Sequence, residues 1–315
     1  MEIVRLDGPA RRFPDAPAVT VGNFDGVHLG HRALIDAVVG EARDAGAPAL
    51  ALTFDPHPSR VLAPERAPAT LTTIAQRAEI MAGLGIDRVA VLPFTRELSH
   101  HPAEAFVRTL LVEALGARVV VVGENFRFGR DRAGDVKALQ GFGREMGYRV
   151  RALPSVLHDG APVSSTRVRE AVVRGAVEAA AAMLGRRYLV DGAVVRGLGR
   201  GRTLGIPTAN LDPLNEILPG GGVYAAIVRV DGGPQAWPAV VNVGRRPTFG
   251  GGAVLLEAHL LGFDADLYGR GLRVEFEARL RDERAFPDAN ALRAQIADDV
   301  QAARRVLEKA RGIGV

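Results

Sequence analysis

The sequence predicts a doubly wound parallel α/β domain followed by an antiparallel β domain closed by one helix. Three observations carry this. Up to about Gly185, strand-length apolar runs alternate with segments of helical spacing. From Tyr188 onward, strand-like runs follow one another with only Gly, Pro and Asp clusters between them. A single amphipathic segment, Asn290 to Ala310, then ends the pattern.

In the first half, Pro17 to Phe24 is an apolar run that ends in Gly and Asp. His31 to Ala45 places Leu34, Ile35, Val38 and Val39 on one helical face. Ala49 to Phe54 reads as a strand, Thr73 to Leu84 as a helix and Arg88 to Leu92 as a strand. Pro102 suits a helix start, and the helix runs to Leu115. Arg118 to Val122 is a valine run fit for burial on both faces of a parallel sheet. Val136 to Met146 and Tyr148 to Leu153 repeat the helix–strand unit. Ligands of such sheets sit beyond the carboxyl ends of the strands.

In the second half, strands are expected at Tyr188 to Val195, Val223 to Val230, Ala239 to Val243, Val254 to Leu261 and Leu272 to Leu280, in a barrel or a sandwich. The final helix carries Leu292, Ile296, Val300 and Val306 on one face. The pattern change places a domain boundary at Gly185 to Arg187, dividing the 315 residues into 1–185 and 186–315.

Composition excludes several function classes. No apolar run reaches the roughly 18 residues of a membrane helix. Met1 to Gly22 lacks the apolar core of a signal peptide. There is no cysteine, so thiolate metal sites and disulfides are out, and the cytoplasm is the expected address. Net charge is +4, and all basic residues except Lys137 and Lys309 are arginine. They are scattered rather than clustered, against a nucleic-acid surface. Expected partners are small molecules, with self-association left open.

Two segments carry chemistry. Gly22-Asn23-Phe24-Asp25-Gly26-Val27-His28-Leu29-Gly30-His31 lies where the first strand hands over to the first helix. Its glycines allow a ligand close to the backbone, and the helix N-terminus attracts phosphate. His28 and His31 add donors there; a His-x-x-His metal pair is the alternative. Ser164, Ser165 and Thr166 are cap residues for a following helix that holds Arg167 and Arg169 in its first turn. Cations oppose the helix dipole there, which is easier to understand if an anion is the normal occupant. The second segment is the glycine–arginine loop Gly197, Gly199, Gly201, Arg202 and Gly205, running into Pro207-Thr208-Ala209-Asn210. Thr208 and Asn210 supply hard neutral oxygens suited to Mg²⁺ on ATP phosphates, or else plain turn chemistry.

The His-x-Gly-His and Ser-Ser-Thr-x-x-Arg elements resemble those of Rossmann-like nucleotidylyltransferases. Thr53-Phe54-Asp55-Pro56-His57-Pro58 and Gly123-Glu124-Asn125-Phe126-Arg127-Phe128-Gly129 are similar to the FMN adenylyltransferase module of bacterial bifunctional FAD synthetases. Pro-Thr-Ala-Asn, Asn242-Val243-Gly244-Arg245-Arg246-Pro247-Thr248-Phe249, Leu256-Glu257-Ala258-His259 and Asp266-Leu267-Tyr268-Gly269 resemble its riboflavin kinase module, a β-barrel. The resemblance covers about residues 17 to 300. It implies adenylyl transfer from ATP to FMN in the first half, using His28, His31 and Arg169. ATP would lie on Gly22, Asn23, Phe24, Asp25, Gly26, Gly30, Ser164, Ser165 and Thr166. Asn125 would contact substrate, and Phe54 or Phe128 would stack on the flavin, unless those rings only fill the core. In the second half it implies phosphorylation of riboflavin to FMN with Mg²⁺ on Thr208 and Asn210. Glu257 would be the general base, unless it merely points outward from its strand. Arg196 and Leu198 depart from residues common in the kinase module. A single-activity nucleotidylyltransferase and a silent flavin-binding regulator are the rivals; His28, His31, Thr208, Asn210 and Glu257 all being present speaks against the second.

Overall fold

The computed structural model describes residues 1–6, 13, 15–197, 206–245 and 254–312, which group into two compact units, 1–164 and 165–315. The first unit is a six-stranded sheet of β1 (Glu2–Arg5), β2 (Ala18–Val21), β3 (Ala49–Phe54), β4 (Arg88–Leu92), β5 (Val119–Gly123) and β6 (Arg149–Leu153). Its order is β1-β4-β3-β2-β5-β6 and every pairing is parallel. Between the strands lie α1 (Leu29–Ala45), α2 (Pro58–Leu62), α3 (Ile74–Gly83), α4 (Arg96–Ser99), α5 (Ala103–Phe106) and α6 (Val136–Met146). A π-helical stretch, Val107–Ala114, prolongs α5. A small hairpin, β7 (Leu157–His158) and β8 (Ala161–Pro162), follows.

Alternation along each strand builds two cores. Ala18, Ala49, Ala51, Val89, Val91, Val119 and Val121 meet Ile35, Val38 and Ala42 of α1 and Ala78 and Met81 of α3. Val19, Val21, Leu50, Leu52, Val120 and Val122 face the other way, toward Phe106, Leu111 and Leu139. Helices therefore cover both faces, as the valine run required. β2 and β5 are neighbours, so the strand order reverses between them, and their carboxyl ends flank the crevice where such folds hold ligands. β1 was not expected. It is a four-residue edge strand paired only to β4, with three of its residues exposed, so burial leaves little trace in its sequence.

The second unit opens with α7 (Ser165–Val173) and α8 (Val177–Leu184). A closed antiparallel barrel follows: β9 (Tyr188–Val195), β10 (Ala209–Pro213), β11 (Gly222–Val230), β12 (Ala236–Arg245), β13 (Val254–Leu260) and β14 (Gly271–Arg281), in the order β10-β13-β12-β11-β14-β9. Tyr224 and Phe276 meet edge to face at 5.4 Å among fully buried side chains. Val223, Ala225, Ile227 and Val240 point the opposite way, onto Ala303 and Leu307 of α9 (Ala289–Gly312). The sequence pattern left barrel or sandwich open; closure of the ladder decides for the barrel. The strand it missed is β10, five residues of mixed chemistry. Gly185 to Arg187 marks where β9 begins, yet α7 and α8 group with the barrel: the Gly220 N–H donates to the Val172 carbonyl and the Arg279 N–H to Glu178. Among the described residues no helix is long and apolar enough to cross a membrane.

Candidate active sites

The turn from β2 into α1 is held from beneath by buried polar groups. Asp25, 1 % exposed, accepts from the backbone N–H groups of Leu71 (2.9 Å) and Thr72 (3.1 Å) and from the Thr72 hydroxyl. The Gly26 N–H donates to the same hydroxyl at 3.0 Å. The Thr53 hydroxyl donates to the Asn23 carbonyl at 3.1 Å, and the Asn23 amide lies 3.0 Å from His57 Nε2. Phe24 and Val27, both buried, have positive φ of 50° and 41°. For a β-branched residue such as Val27 that is strained, and the surrounding bonds must enforce it.

His28 is the N-cap of α1; its Nδ1 accepts from the His31 N–H at 3.4 Å. The two imidazoles stack at 3.7 Å, 16° from parallel, and Phe24 meets His31 edge-on. Gly30 makes room: a Cβ there would stand 3.1 Å from the His28 ring. Burial first, then the charges of His28 and Arg77, hold His31 well below its ordinary pKa. Stacked rings do not converge their nitrogens on one point, and no cluster of three His, Asp or Glu fit for a metal occurs among the described residues.

The other first-half residues divide. Asn125 is exposed at the carboxyl end of β5, with its amide 3.3 Å from the Ser155 hydroxyl. Glu124 accepts from the Ser155 N–H and hydroxyl, which lower its pKa. Phe54 is half-buried at the end of β3 against Phe94. Phe128, by contrast, is buried between Phe106 and Phe126. Asp25 is turned inward, spent on the turn itself. Ser164 ends the first unit and α7 begins at Ser165, so Thr166, Arg167 and Arg169 lie inside that helix.

On the barrel, register assembles a row. Asn210 of β10 stands opposite Glu257 of β13, and Glu257 stands opposite Asn242 of β12. Directly opposed residues share a face. Asn242 also pairs with Val223, so the row lies on the outer face that carries Val223 toward α9. Glu257 does point out of the barrel, but it is half-buried between two asparagines. Asn210 is 8 % exposed, and its Oδ1 has no hydrogen-bond partner among the described residues. The Gly197 backbone lies so close to the Asn210 amide that no side chain fits there. His259 Nδ1 is 2.8 Å from the Pro207 carbonyl, which can only accept, so this nitrogen carries the proton and ties down the segment leading to Thr208. Gly199, Gly201, Arg202 and Gly205 lie outside the described residues, as do Arg246 to Phe249. Sequence reasoning missed Thr72 and Arg77, and it quoted Asn242 and His259 within motifs without giving either a role. Of the two missed, Arg77 left a signal, a charge on the apolar face of Ile74, Ala78 and Met81.

Two family models match in succession: FAD synthetase over residues 11–167 and riboflavin kinase over residues 184–307. The bifunctional riboflavin kinase/FMN adenylyltransferase of Pseudomonas fluorescens is 43 % identical over 286 residues, 90 % of this chain and 91 % of the relative. The protein of that description from Escherichia coli K12 is 39 % identical over 91 % of each chain. The chain belongs to the bifunctional riboflavin kinase/FMN adenylyltransferase family. A crystal structure described as a macrolide-efflux protein from Streptococcus pneumoniae shares the fold, with TM-score 0.88, 28 % identity and coverage of 96 % of this chain and 99 % of that one. In this family member the FAD synthetase match takes in the whole β2–α1 turn and Ser164 to Thr166. The riboflavin kinase match takes in the Asn210–Glu257–Asn242 row.

Proposed function

We propose that this chain makes FMN and FAD in two separate sites, dividing at residues 1–185 and 186–315. The kinase site transfers a phosphoryl group from ATP to riboflavin. The adenylyltransferase site transfers AMP from ATP to FMN, releasing pyrophosphate. One observation carries the reading: each site suits a different nucleophile. The β2–α1 turn presents imidazoles and the N-terminus of α1, while its own carboxylate, Asp25, is turned inward. FMN phosphate is already anionic at neutral pH and needs no base. Its oxygen attacks the α-phosphorus, the bond to the bridging oxygen breaks, and His28 and His31 bear the charge that develops. Gly22, Asn23, Phe24, Gly26 and Gly30 shape the phosphate cradle, with Asp25 acting through the turn. Asn125 contacts substrate, and Phe54, whose ring is half-exposed where that of Phe128 is not, stacks on the flavin.

The barrel row offers what an alcohol needs. Glu257 takes the proton of the riboflavin hydroxyl as its oxygen attacks the γ-phosphorus and ADP leaves. Thr208 and Asn210 would hold Mg²⁺, which when bound neutralises phosphate charge. The buried Asn210 Oδ1, without a hydrogen-bond partner among the described residues and a neutral hard oxygen beside a carboxylate, fits that ion. On this reading the enzyme is cytoplasmic and its partners are small molecules. The test is incubation with riboflavin, ATP and Mg²⁺ followed by chromatography of the flavins. Both FMN and FAD are expected; folded protein that yields neither refutes the proposal.

A further inference from the structure

The end of β3 closes on the β2–α1 turn through a histidine that the chemistry above does not use. His57 is the N-cap of α2, and its Nδ1 accepts from the Ser59 backbone N–H at 3.3 Å. The Ser59 hydroxyl meets the same nitrogen. A hydroxyl can turn either way, but a backbone N–H only donates. A hydrogen on Nδ1 would face that N–H head-on, so Nδ1 is the acceptor and Nε2 carries the proton of the ring. Nε2 lies 3.0 Å from Nδ2 of Asn23, where two donors would meet. A half-turn of the amide, which leaves its outline unchanged, brings Oδ1 there instead. His57 Nε2–H then donates to Asn23 Oδ1, and Nδ2 with its two hydrogens takes the other side. Among the described residues the Asn23 side chain makes no further hydrogen bond, and it is half-buried, so that side is open to a ligand. The backbone of Asn23 is held from the same strand end: the Thr53 hydroxyl donates to its carbonyl at 3.1 Å. One segment, Thr53 to Ser59, thus fixes both the backbone and the side chain of Asn23.

We propose that His57 is a positioning residue for adenylyl transfer: by donating from Nε2 to Asn23 Oδ1 it aims the Asn23 NH₂ group at the phosphates of ATP. This rests on the reading that the β2–α1 turn cradles those phosphates. The orientation matters because the ligand is an anion. An amide nitrogen offers it hydrogens, whereas an amide oxygen turned outward would repel it. Asparagine alone has no preference between the two; the fixed Ser59 N–H, passed on through the ring, supplies one. Capping α2 and orienting Asn23 are chemically separable. His57→Asn can still accept from the Ser59 N–H, since asparagine is a favoured cap, but it does not reach Asn23. His57→Gln reaches about as far as Nε2 and can donate, but glutamine is not a favoured cap.

The test joins ¹⁵N NMR of the His57 ring in the full chain, assigned by difference from His57→Gln or His57→Asn, with rates of FAD formation from supplied FMN. In the unaltered protein at about pH 7.5 the His57 ring should be the Nε2–H tautomer. His57→Asn should lower FAD formation by about 10-fold or more, because the Asn23 donor is no longer aimed. His57→Gln, which keeps a donor at the reach of Nε2, should recover most of the rate. FMN formation from riboflavin should be unchanged in both. A residue that only capped α2 would give the opposite order. An Nδ1–H tautomer in the unaltered protein overturns the proposal, whatever the variants do. So does a His57→Asn rate equal to or above that of His57→Gln. Asn23→Asp tests the underlying reading: it keeps an oxygen for His57 and replaces the NH₂ group by negative charge, so FAD formation should fall by about 10²-fold. An unchanged rate there overturns the cradle role of Asn23, a failure read separately from the tautomer of His57.

Discussion

Glu257 and His31 are titratable groups whose neighbours decide what they do. Glu257 stands between Asn210 and Asn242, which donate or accept hydrogen bonds without carrying charge. Glu257→Gln keeps the shape and removes the basicity. Phosphorylation of riboflavin should fall by roughly 10² to 10⁴ while riboflavin and Mg-ATP binding change little. A near-normal rate in that variant would leave Glu257 as an ordinary outward-facing strand residue. For His31 the linkage is explicit. Its folded pKa lies below the ordinary value of about 6.5, so the unfolded chain binds the proton first. Stability is therefore full above about pH 6.5 and is lost as pH falls from there toward the folded value. Denaturant unfolding at pH 7.5 and pH 5.5 should show a loss, and His31→Gln should lose less over the same interval. Equal losses would mean that other groups dominate the acid response.

The elements carry the sites because of how they end. α1 begins at a histidine cap, and Gly30 leaves that ring its space. Gly30→Ala puts a methyl 3.1 Å from the His28 ring, so the ring must shift. FAD formation from FMN should drop by about 10-fold or more, with FMN formation from riboflavin untouched. Parallel loss of both reactions would point to general misfolding. Long periodic elements of this kind were legible in the sequence. β3, β4, α6 and β9 fall at the positions that hydrophobic spacing indicated, because burial on defined faces imposes the period. β1 and β10 were not legible: an edge strand buries little, and β10 carries Asn210 and Pro213, which read as turn chemistry. The same limit applied at the sites. Glycines and histidines at a strand–helix turn announce themselves locally, whereas Asn242 joins Glu257 only through register across strands. Asp25 looked ligand-facing because the turn chemistry does not say which way a carboxylate points, and Phe128 because an aromatic at a strand end fits core and ligand alike.

At the scale of the molecule, α7 and α8 group with the barrel although they precede the change of pattern. Val172, Val177 and Leu184 are buried. A fragment of residues 165–315 should fold and make FMN but no FAD. A fragment of residues 187–315 should make FMN too, but melt a few degrees lower, roughly 2–4 °C for each 1 kcal/mol lost in a domain of this size. Equal melting temperatures would mean that the two helices contribute nothing to the barrel. The central claim is that one chain holds two independent sites, each with its own nucleophile. Mixing two variants measures it directly. Given riboflavin, ATP and Mg²⁺, His28→Ala alone should stop at FMN, because a lost charge-stabilising donor costs about 10²-fold or more. Glu257→Gln alone should leave riboflavin almost unconverted. The two together should make FAD, the first supplying FMN through solution to the second. Absence of FAD from the mixture, with both proteins folded, or loss of both reactions in either variant, would contradict two independent sites.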